Sequence, residues 1–209
     1  MGTIDLNVDI GEGLPYDADL LRFATSANVG CGEHAGSPAV TREVAAMCRD
    51  LGVVFGAHPG YPDRATFGRA EWEDPWRAID SLAAQVEFAA GLGAVYLKPH
   101  GALYNQSAQG GPAFEVLVEL LRRFRLPLLG LGGTAHQRAA QEAGVRFARE
   151  GFADRRMLPD GLLAPRSQAG AVLADPEEVC RNAVGLASKV DSICLHGDTA
   201  GCVELASAV

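Results

Sequence analysis

Short apolar runs that favour strands alternate along the chain with longer runs that have helical periodicity. Strands are predicted at residues 4–10, 27–31, 53–58, 94–99, 128–132, 145–150 and 192–196, with a weaker eighth at 170–173. Helices are predicted between them at residues 17–25, 38–51, 75–92, 112–124, 135–143, 176–186 and 199–207. Regular alternation of this kind is typical of parallel strands joined by helical crossovers.

Several boundaries carry their own signals. Three predicted helices begin with a capping residue followed by proline, at Ser37-Pro38, Asp74-Pro75 and Asp175-Pro176.

An open doubly wound sheet and a closed barrel both fit the alternation of strands and helices. Seven or eight strand–helix units in one domain of residues 1–209 favour a TIM-like (β/α) barrel of parallel strands, seven-stranded and distorted. Residues 150–169 have little periodicity, so they predict a long loop of the functional kind.

Polar residues gather where the predicted strands end. His34, His58, His100 and His196, four of the five histidines, stand at such ends. The other polar residues at or just beyond strand ends are Asp9, Glu12, Lys98, Glu150, Asp154, Arg155 and Asp198. Catalytic groups in parallel α/β folds lie at the carboxyl ends of the strands, so these residues predict one pocket. His136 falls within a helix and is predicted to be a surface residue.

The first strand carries polar residues at alternate positions. Asp5, Asn7 and Asp9 therefore share one face of that strand. Buried carboxyl and amide groups are costly unless they are paired or bound to a ligand. Either they contact a ligand, or they pair with Lys98 or an arginine as structural polar packing.

Motifs for other chemistries are weak. Residues 11–13 and 130–133 are glycine-rich, but they match neither a Walker loop nor GxGxxG. No GxSxG motif or catalytic cysteine pattern occurs. A metal site is chemically possible, but without an HxxH or HxxxH pair its ligands would have to come from separate strands. The sequence therefore predicts no residue as a metal ligand.

Composition narrows the class of protein. The formal net charge is −8 and no basic run occurs, which argues against a nucleic-acid or anionic-membrane surface. The acidic start does not resemble a signal peptide, and no apolar stretch reaches the length of a membrane span. The five cysteines lack CxxC spacing. They predict reduced, mostly buried thiols in a cytoplasmic protein.

The order of the motifs resembles the LamB/YcsF family. The matching motifs include Asp5-Leu6-Asn7, Gly11-Glu12-Gly13, Gly56-Ala57-His58-Pro59-Gly60, Phe67-Gly68-Arg69, Lys98-Pro99-His100-Gly101, Phe152-Ala153-Asp154-Arg155, Pro165-Arg166-Ser167 and His196-Gly197-Asp198. This family supplies the A subunit of bacterial 5-oxoprolinases. The resemblance implies a TIM-like barrel related to sugar hydrolase and deacetylase barrels. It also implies cleavage of 5-oxo-L-proline to L-glutamate with ATP hydrolysis, in a complex with B and C subunits.

The implied reaction assigns hypothetical roles. Lys98, Arg155 and Arg166 are candidates to hold phosphate or the substrate carboxylate. The candidate bases for water are Asp9, Glu12, His58 and His100, and the candidate proton donors to the leaving nitrogen are His34 and His196. The residues expected to bind substrate are Asn7, Glu150, Asp154, Arg155, Arg166 and Asp198. ATP, with Mg²⁺, is the expected co-substrate.

One ring position departs from the family pattern, and two other functions stay open. The family usually has Phe where this chain has Glu33, so an acid beside His34 is expected to alter that histidine's partner or protonation. A metal-dependent hydrolase or deacetylase of a carbohydrate amide predicts a stoichiometric metal. A non-catalytic ligand-binding subunit predicts that pocket variants still support activity. The chain is also compatible with a homo-oligomer.

Overall fold

One parallel sheet organises residues 3–209, the part of the chain that the computed structural model describes. Its strands are β1 (Asp5–Ile10), β2 (Ser26–Gly30), β3 (Val54–His58), β4 (Leu128–Leu131), β5 (Phe147–Phe152) and β6 (Ser192–His196). Their order across the sheet is β3-β2-β1-β6-β5-β4. Every pairing is parallel, as the strand–helix alternation predicted.

The segment predicted as a strand at 94–99 links the two edges of this sheet. Leu97 bridges Ala57 of β3 and Leu128 of β4 in parallel. The backbone N–H of Leu129 donates to the carbonyl of Leu97 over 2.9 Å, and that of Lys98 donates to the carbonyl of Ala57 over 3.0 Å. Proline at the next position, 99, offers no N–H for a longer ladder. The predicted TIM-like α/β fold is confirmed, with this strand reduced to a bridging residue.

Helices separate the strands. They are α1 (Asp17–Leu20), α2 (Pro38–Leu51), α3 (Ile79–Gly91), α4 (Gly101–Gln109), α5 (Gly111–Phe124), α6 (Ala135–Ala143), α7 (Pro176–Leu186) and α8 (Cys202–Ala208), with a 3₁₀ turn at Pro75–Ala78. Ser37 and Asp175 cap α2 and α7 by accepting from backbone N–H groups, as their sequence signals predicted. The first predicted helix is shorter than expected, and α4 was not predicted.

Alternation along the strands separates an apolar outside from a polar inside. Val8 and Ile10 of β1 pack in an apolar cluster with Val44 and Cys48 of α2. Asn7 and Asp9 point to the other face of β1, inside the curled sheet. Because this interior holds amides, carboxylates and an ammonium group, it must satisfy their hydrogen bonds internally.

The structure corrects two sequence predictions, a weak eighth strand and the start of the long loop. Residues 170–173 are not a barrel strand, since Val172 makes only an antiparallel bridge to Arg155. The predicted loop begins later than residue 150, because β5 continues to Phe152, and it runs on to α7.

Within residues 3–209, no helix has both the length and the apolar character needed to cross a membrane.

Candidate functional site

Lys98 occupies the centre of the barrel interior between two carboxylates. Its Nζ lies 2.7 Å from Oδ1 of Asp9 and 2.7 Å from Oε1 of Glu150. It also lies 3.0 Å from Sγ of Cys194. The hydroxyl of Tyr104 donates to the second oxygen of Glu150 over 2.9 Å. All of these groups are buried, so solvent screens their interactions poorly.

The pairing decides the charge of each group. Burial disfavours the ionised form of Asp9, but Lys98, His58 and His196 outweigh it and lower the pKa of Asp9 below its usual range. Burial also opposes the charge on Lys98, yet Asp9 and its other anionic neighbours raise the Lys98 pKa well above normal. Burial raises the pKa of Glu150 despite Lys98. Lys98 is therefore held as a cation between two acidic side chains.

Amide groups position Asp9 from the side of β2. Nδ2 of Asn28 lies 2.7 Å from Oδ1 of Asp9 and 2.6 Å from Oδ1 of Asn7. The hydroxyl of Tyr96 donates to Asn28 over 2.7 Å. Asn7 is completely buried and does not line the cavity of the barrel. Its side-chain amide forms hydrogen bonds with Asn28 and Ser192 instead. This network holds the carboxylate of Asp9 in one orientation.

Asp5 lies at the other end of β1 and takes no part in the pocket. Its carboxylate accepts hydrogen bonds from the hydroxyls of Thr25, Ser26 and Ser192. The sequence allowed two interpretations of Asp5, contact with a ligand or structural polar packing. The structure shows polar packing, but the partners are hydroxyl groups instead of Lys98 or an arginine.

His196 and Asp154 form a dyad at the end of β6. Nδ1 of His196 lies 2.9 Å from Oδ1 of Asp154, and the hydroxyl of Thr199 donates to Oδ2 of Asp154 over 2.7 Å. Burial opposes ionisation of Asp154, but His196 and Thr199 lower its pKa overall. Nε2 of His196 then faces Oδ2 of Asp9 at 3.7 Å. An imidazole held in this way can accept and return a proton at Nε2.

Three more histidines gather around Glu12. The rings of His34 and His100 stack with centroids 3.9 Å apart, and the ring of His58 stands edge-on to His100. Oε1 of Glu12 lies 3.4 Å from Nε2 of His34 and 3.3 Å from Nδ1 of His100. The left-handed backbone at Phe67, with φ of 60°, aims its carbonyl at His100. Strain of this kind persists where the surrounding structure fixes it.

Burial keeps this cluster uncharged. It lowers the pKa of His34 to about 3 and that of His58 to about 4, and it lowers the His100 pKa well below normal. Burial likewise raises the pKa of Glu12 well above its usual range. At neutral pH the three imidazoles are therefore neutral ligands or acceptors.

A cavity of about 420 Å³ opens above these groups. Its floor includes Asp9, His58, Lys98, His100 and His196. Its wall carries three arginines, Arg69, Arg155 and Arg166. Asp198 pairs with both Arg69 and Arg166.

The guanidinium of Arg155 is bound differently from the other two. It donates to the backbone carbonyls of Ala164 and Ala171, and burial lowers its pKa to about 10. Three guanidinium groups outnumber the two acidic residues beside them, Asp198 and the cavity-lining Glu71, so the wall keeps a net positive charge that suits an anionic ligand.

The structure brings most of the predicted site residues together. Those that line the cavity are Asp9, His58, Lys98, His100, Arg155, Arg166 and His196. Glu12 and His34 lie behind His58 and His100, while Glu150 and Asp154 hold Lys98 and His196. Glu33 is exposed, so the expectation that it alters His34 is not supported by a contact.

Other residues were missed or misplaced by the sequence. The sequence predicted no role for Arg69, Tyr104, Asn28 or Cys194. Arg69 nevertheless belongs to the motif Phe67-Gly68-Arg69, and Cys194 lies on the inner face of β6. His136 is completely buried, which corrects its prediction as a surface residue.

The chain resembles known proteins over almost its whole length. A family model described as LamB/YcsF family matches residues 4–209. The A subunit of the 5-oxoprolinase from Methylococcus capsulatus is 41% identical, covering 94% of this chain and 86% of its own length. The protein of the same name from Nocardia farcinica is 40% identical, covering 97% of this chain and 92% of its own. The structure of a lactam utilization protein from Thermus thermophilus has a TM-score of 0.89 and 31% identity, covering 100% of this chain and 94% of that one.

Proposed function

The chain belongs to the LamB/YcsF family, and from this premise we propose that it is the A subunit of an ATP-hydrolysing 5-oxoprolinase. The proposed reaction opens the lactam ring of 5-oxo-L-proline to give L-glutamate. The observation that carries the proposal is a cavity that combines a cationic wall with a histidine–aspartate dyad over a buried carboxylate. The relatives are named as the A subunit of 5-oxoprolinase and as a lactam utilization protein, and these names support the choice of a lactam.

The cationic wall matches the charge of the substrate. 5-Oxoproline carries a carboxylate, and an activated lactam would also carry a phosphoryl group. Arg166 and Arg69 share one carboxylate partner and so retain donors for an anion. Arginine binds carboxylates and phosphates through paired N–H groups, which fixes orientation as well as charge.

ATP activates the lactam in the proposed reaction. Transfer of the γ-phosphoryl group to the lactam oxygen makes the ring carbon electrophilic. Water then adds to that carbon and the ring C–N bond breaks, which leaves an acyl phosphate on the opened chain. A second water displaces the phosphate, which carries away the former lactam oxygen. The products are the glutamate carboxylate, its amine, ADP and inorganic phosphate. Use of ATP with Mg²⁺ fits a cytoplasmic reaction.

His196 is the group best placed to move the proton. Its Nδ1–H is held by Asp154, so Nε2 is free to take a proton from water and return it to the ring nitrogen. The ionised Asp9 at 3.7 Å stabilises the imidazolium between the two steps. Lys98 keeps Asp9 ionised and leaves the chemistry to the histidine.

The assay uses the chain together with its proposed B and C partners. Glutamate and ADP formed from 5-oxoproline and ATP are measured for the wild type and for His196→Ala. Loss of a positioned acid–base group is expected to slow turnover by roughly 10²–10⁴-fold. Wild-type turnover in that variant would instead favour a non-catalytic role for the chain, and product formed without ATP would favour a simple amide hydrolase.

A further inference from the structure

Two imidazole nitrogens face each other in the cavity floor with no proton between them. Nδ1 of His58 lies 2.8 Å from the carbonyl oxygen of Lys98, and Nε2 of His100 lies 2.9 Å from the carbonyl oxygen of Phe67. A carbonyl only accepts, so each of these nitrogens carries the hydrogen of a neutral ring. Nε2 of His58 and Nδ1 of His100 are then both bare, at a separation of 3.1 Å. Two lone pairs at that distance repel each other.

A buried carboxyl oxygen points at the same place. Oε1 of Glu12 lies 3.3 Å from Nδ1 of His100, and the side chain of Glu12 is only 3% exposed. Within residues 3–209, this oxygen has no hydrogen-bond partner. Buried polar groups are nearly always satisfied in native proteins. Three electron-pair donors, two of them bare nitrogens, therefore converge from separate strand ends.

The spacing of the donors matches a coordination sphere. Zinc bonds of about 2.0–2.1 Å in a tetrahedron place neighbouring ligand atoms about 3.3–3.4 Å apart. The measured separations are 3.1 Å for His58 to His100 and 3.3 Å for Glu12 to His100, and all three donors lie within 4.8 Å of one another. The hydrogen bond from each outer ring nitrogen to a backbone carbonyl is the support that metal-binding histidines usually have.

We propose that Glu12, His58 and His100 bind one divalent transition-metal ion, with Zn²⁺ as the best match to two imidazoles and a carboxylate. His58 and His100 both line the cavity, so the ion faces the ligand that the cavity holds. Three protein ligands leave a coordination position for that ligand or for water, as in catalytic zinc sites.

A second cluster in the barrel is a poorer metal site. Asp9, Cys194 and His196 also lie within ligand distance of one another. There, however, the Lys98 ammonium already contacts both Asp9 at 2.7 Å and the sulfur of Cys194 at 3.0 Å. A second cation would meet that charge directly. Burial also raises the pKa of the Cys194 thiol well above normal, which disfavours the thiolate that a metal requires.

The test measures zinc on the untagged full chain without ATP or lactam, so its failure leaves the proposed lactam chemistry untouched. The protein is stripped with chelator and dialysed against Zn²⁺, and its zinc content is measured by mass spectrometry. Zinc affinity is measured by competition with a chromophoric chelator. We expect one zinc per chain, and tetrahedral absorption bands when Co²⁺ replaces it. Glu12→Gln and His100→Ala are expected to weaken zinc binding by at least about tenfold.

Matched variants decide where the ion lies. Glu33→Gln removes an exposed acid from the loop between β2 and α2, and Cys194→Ser alters the rival cluster. Both are expected to keep one zinc at wild-type affinity. Zinc is also expected to raise the Tm of the wild type but not of Glu12→Gln, which controls for misfolding. A wild-type chain without stoichiometric zinc, or zinc lost in Cys194→Ser and kept in Glu12→Gln, would overturn the assignment.

Discussion

The ammonium group of Lys98 lies 2.7 Å from Oδ1 of Asp9, and both side chains are at most 5% exposed. The interaction compensates two charges that would each be costly to bury alone. It fixes the electrostatics of the barrel interior, because Glu150 shares the same ammonium group at 2.7 Å. The pair therefore supports the fold as well as the pocket.

Replacement of Lys98 is expected to destabilise the chain strongly. Lys98→Met keeps the length of the side chain but leaves two buried carboxyl groups without a cation. Breaking a buried pair in this way costs roughly 3–5 kcal/mol. The free energy of unfolding is measured by urea denaturation at neutral pH.

The surface pair of Arg123 and Glu87 provides the control. It spans 3.8 Å and both side chains are more than half exposed. Arg123→Met is expected to cost less than about 1 kcal/mol. The double variant Lys98→Met/Glu150→Gln should recover part of the loss. Equal costs for the buried lysine and the exposed arginine would contradict the structural role of Lys98.

Stability is expected to depend on pH through His136. Burial lowers the pKa of His136 from 6.5 to about 3, so the unfolded chain binds a proton at a pH where the folded chain does not. The stability contributed by the neutral ring is present above the unfolded pKa and is lost as pH falls from 6.5 towards 3. Between about pH 7 and pH 5 this residue accounts for a loss of about 2 kcal/mol.

His136→Gln isolates that contribution. Glutamine can accept from the backbone N–H of Leu131, as Nδ1 of His136 does over 3.2 Å, but it does not titrate. The free energy of unfolding is measured for both proteins at about pH 7 and pH 5. His34 and His58 titrate equally in both, so only the difference between the two proteins matters. A variant that loses as much stability as the wild type would show that His136 is not the group responsible.

His136 also shows where the sequence fails as a guide. Its neighbours Gln137 and Arg138 are polar, so local pattern places it on a surface helix. Its burial depends on Gly130, where an added Cβ would come within 2.6 Å of the His136 ring, and on Ser107 of α4. Both are contacts made by tertiary packing, and α4 itself carried no clear starting signal.

The strand-end histidines were easier to predict, for a physical reason. Chain direction alone places the carboxyl ends of parallel strands at one end of a barrel, so His58, His100 and His196 had to lie near one another. Their partners depend on side-chain geometry that pattern does not contain. The sequence could not show that His58 and His100 bind opposing carbonyls, or that Lys98 is fixed by Asp9.

Arg166 is expected to act mainly on substrate binding. It lines the cavity and retains donors beyond its 3.1 Å contact with Asp198. A hydrogen bond to a charged group contributes roughly 1.5–3 kcal/mol. Arg166→Met is therefore expected to raise the KM for 5-oxoproline about 10–150-fold, with a smaller change in kcat. Steady-state assays of the complete complex give both constants.

The exposed Arg138 on α6 serves as the matched control. Its side chain is 59% exposed and pairs only with Glu142 at 4.0 Å among the ion pairs of residues 3–209. Arg138→Met should leave both constants near their wild-type values. A fall in kcat at unchanged KM for Arg166→Met would place that arginine at the transition state instead of the substrate carboxylate.

Asp154 is expected to position His196 for proton transfer without contacting the substrate. Asp154→Asn keeps the shape of the side chain and an acceptor oxygen for Nδ1, but it removes the charge that stabilises the imidazolium. The kcat of the complex is expected to fall by about 10²-fold or more, while the KM for 5-oxoproline stays near the wild-type value. Thr199→Val removes only the 2.7 Å hydrogen bond to Asp154 and should have a much smaller effect on kcat. The folding of both variants is checked by circular dichroism. Thr199→Val retains the negative charge of Asp154, whereas Asp154→Asn removes it. If both variants lowered kcat equally, the loss would reflect the packing of the Asp154 side chain and not its charge.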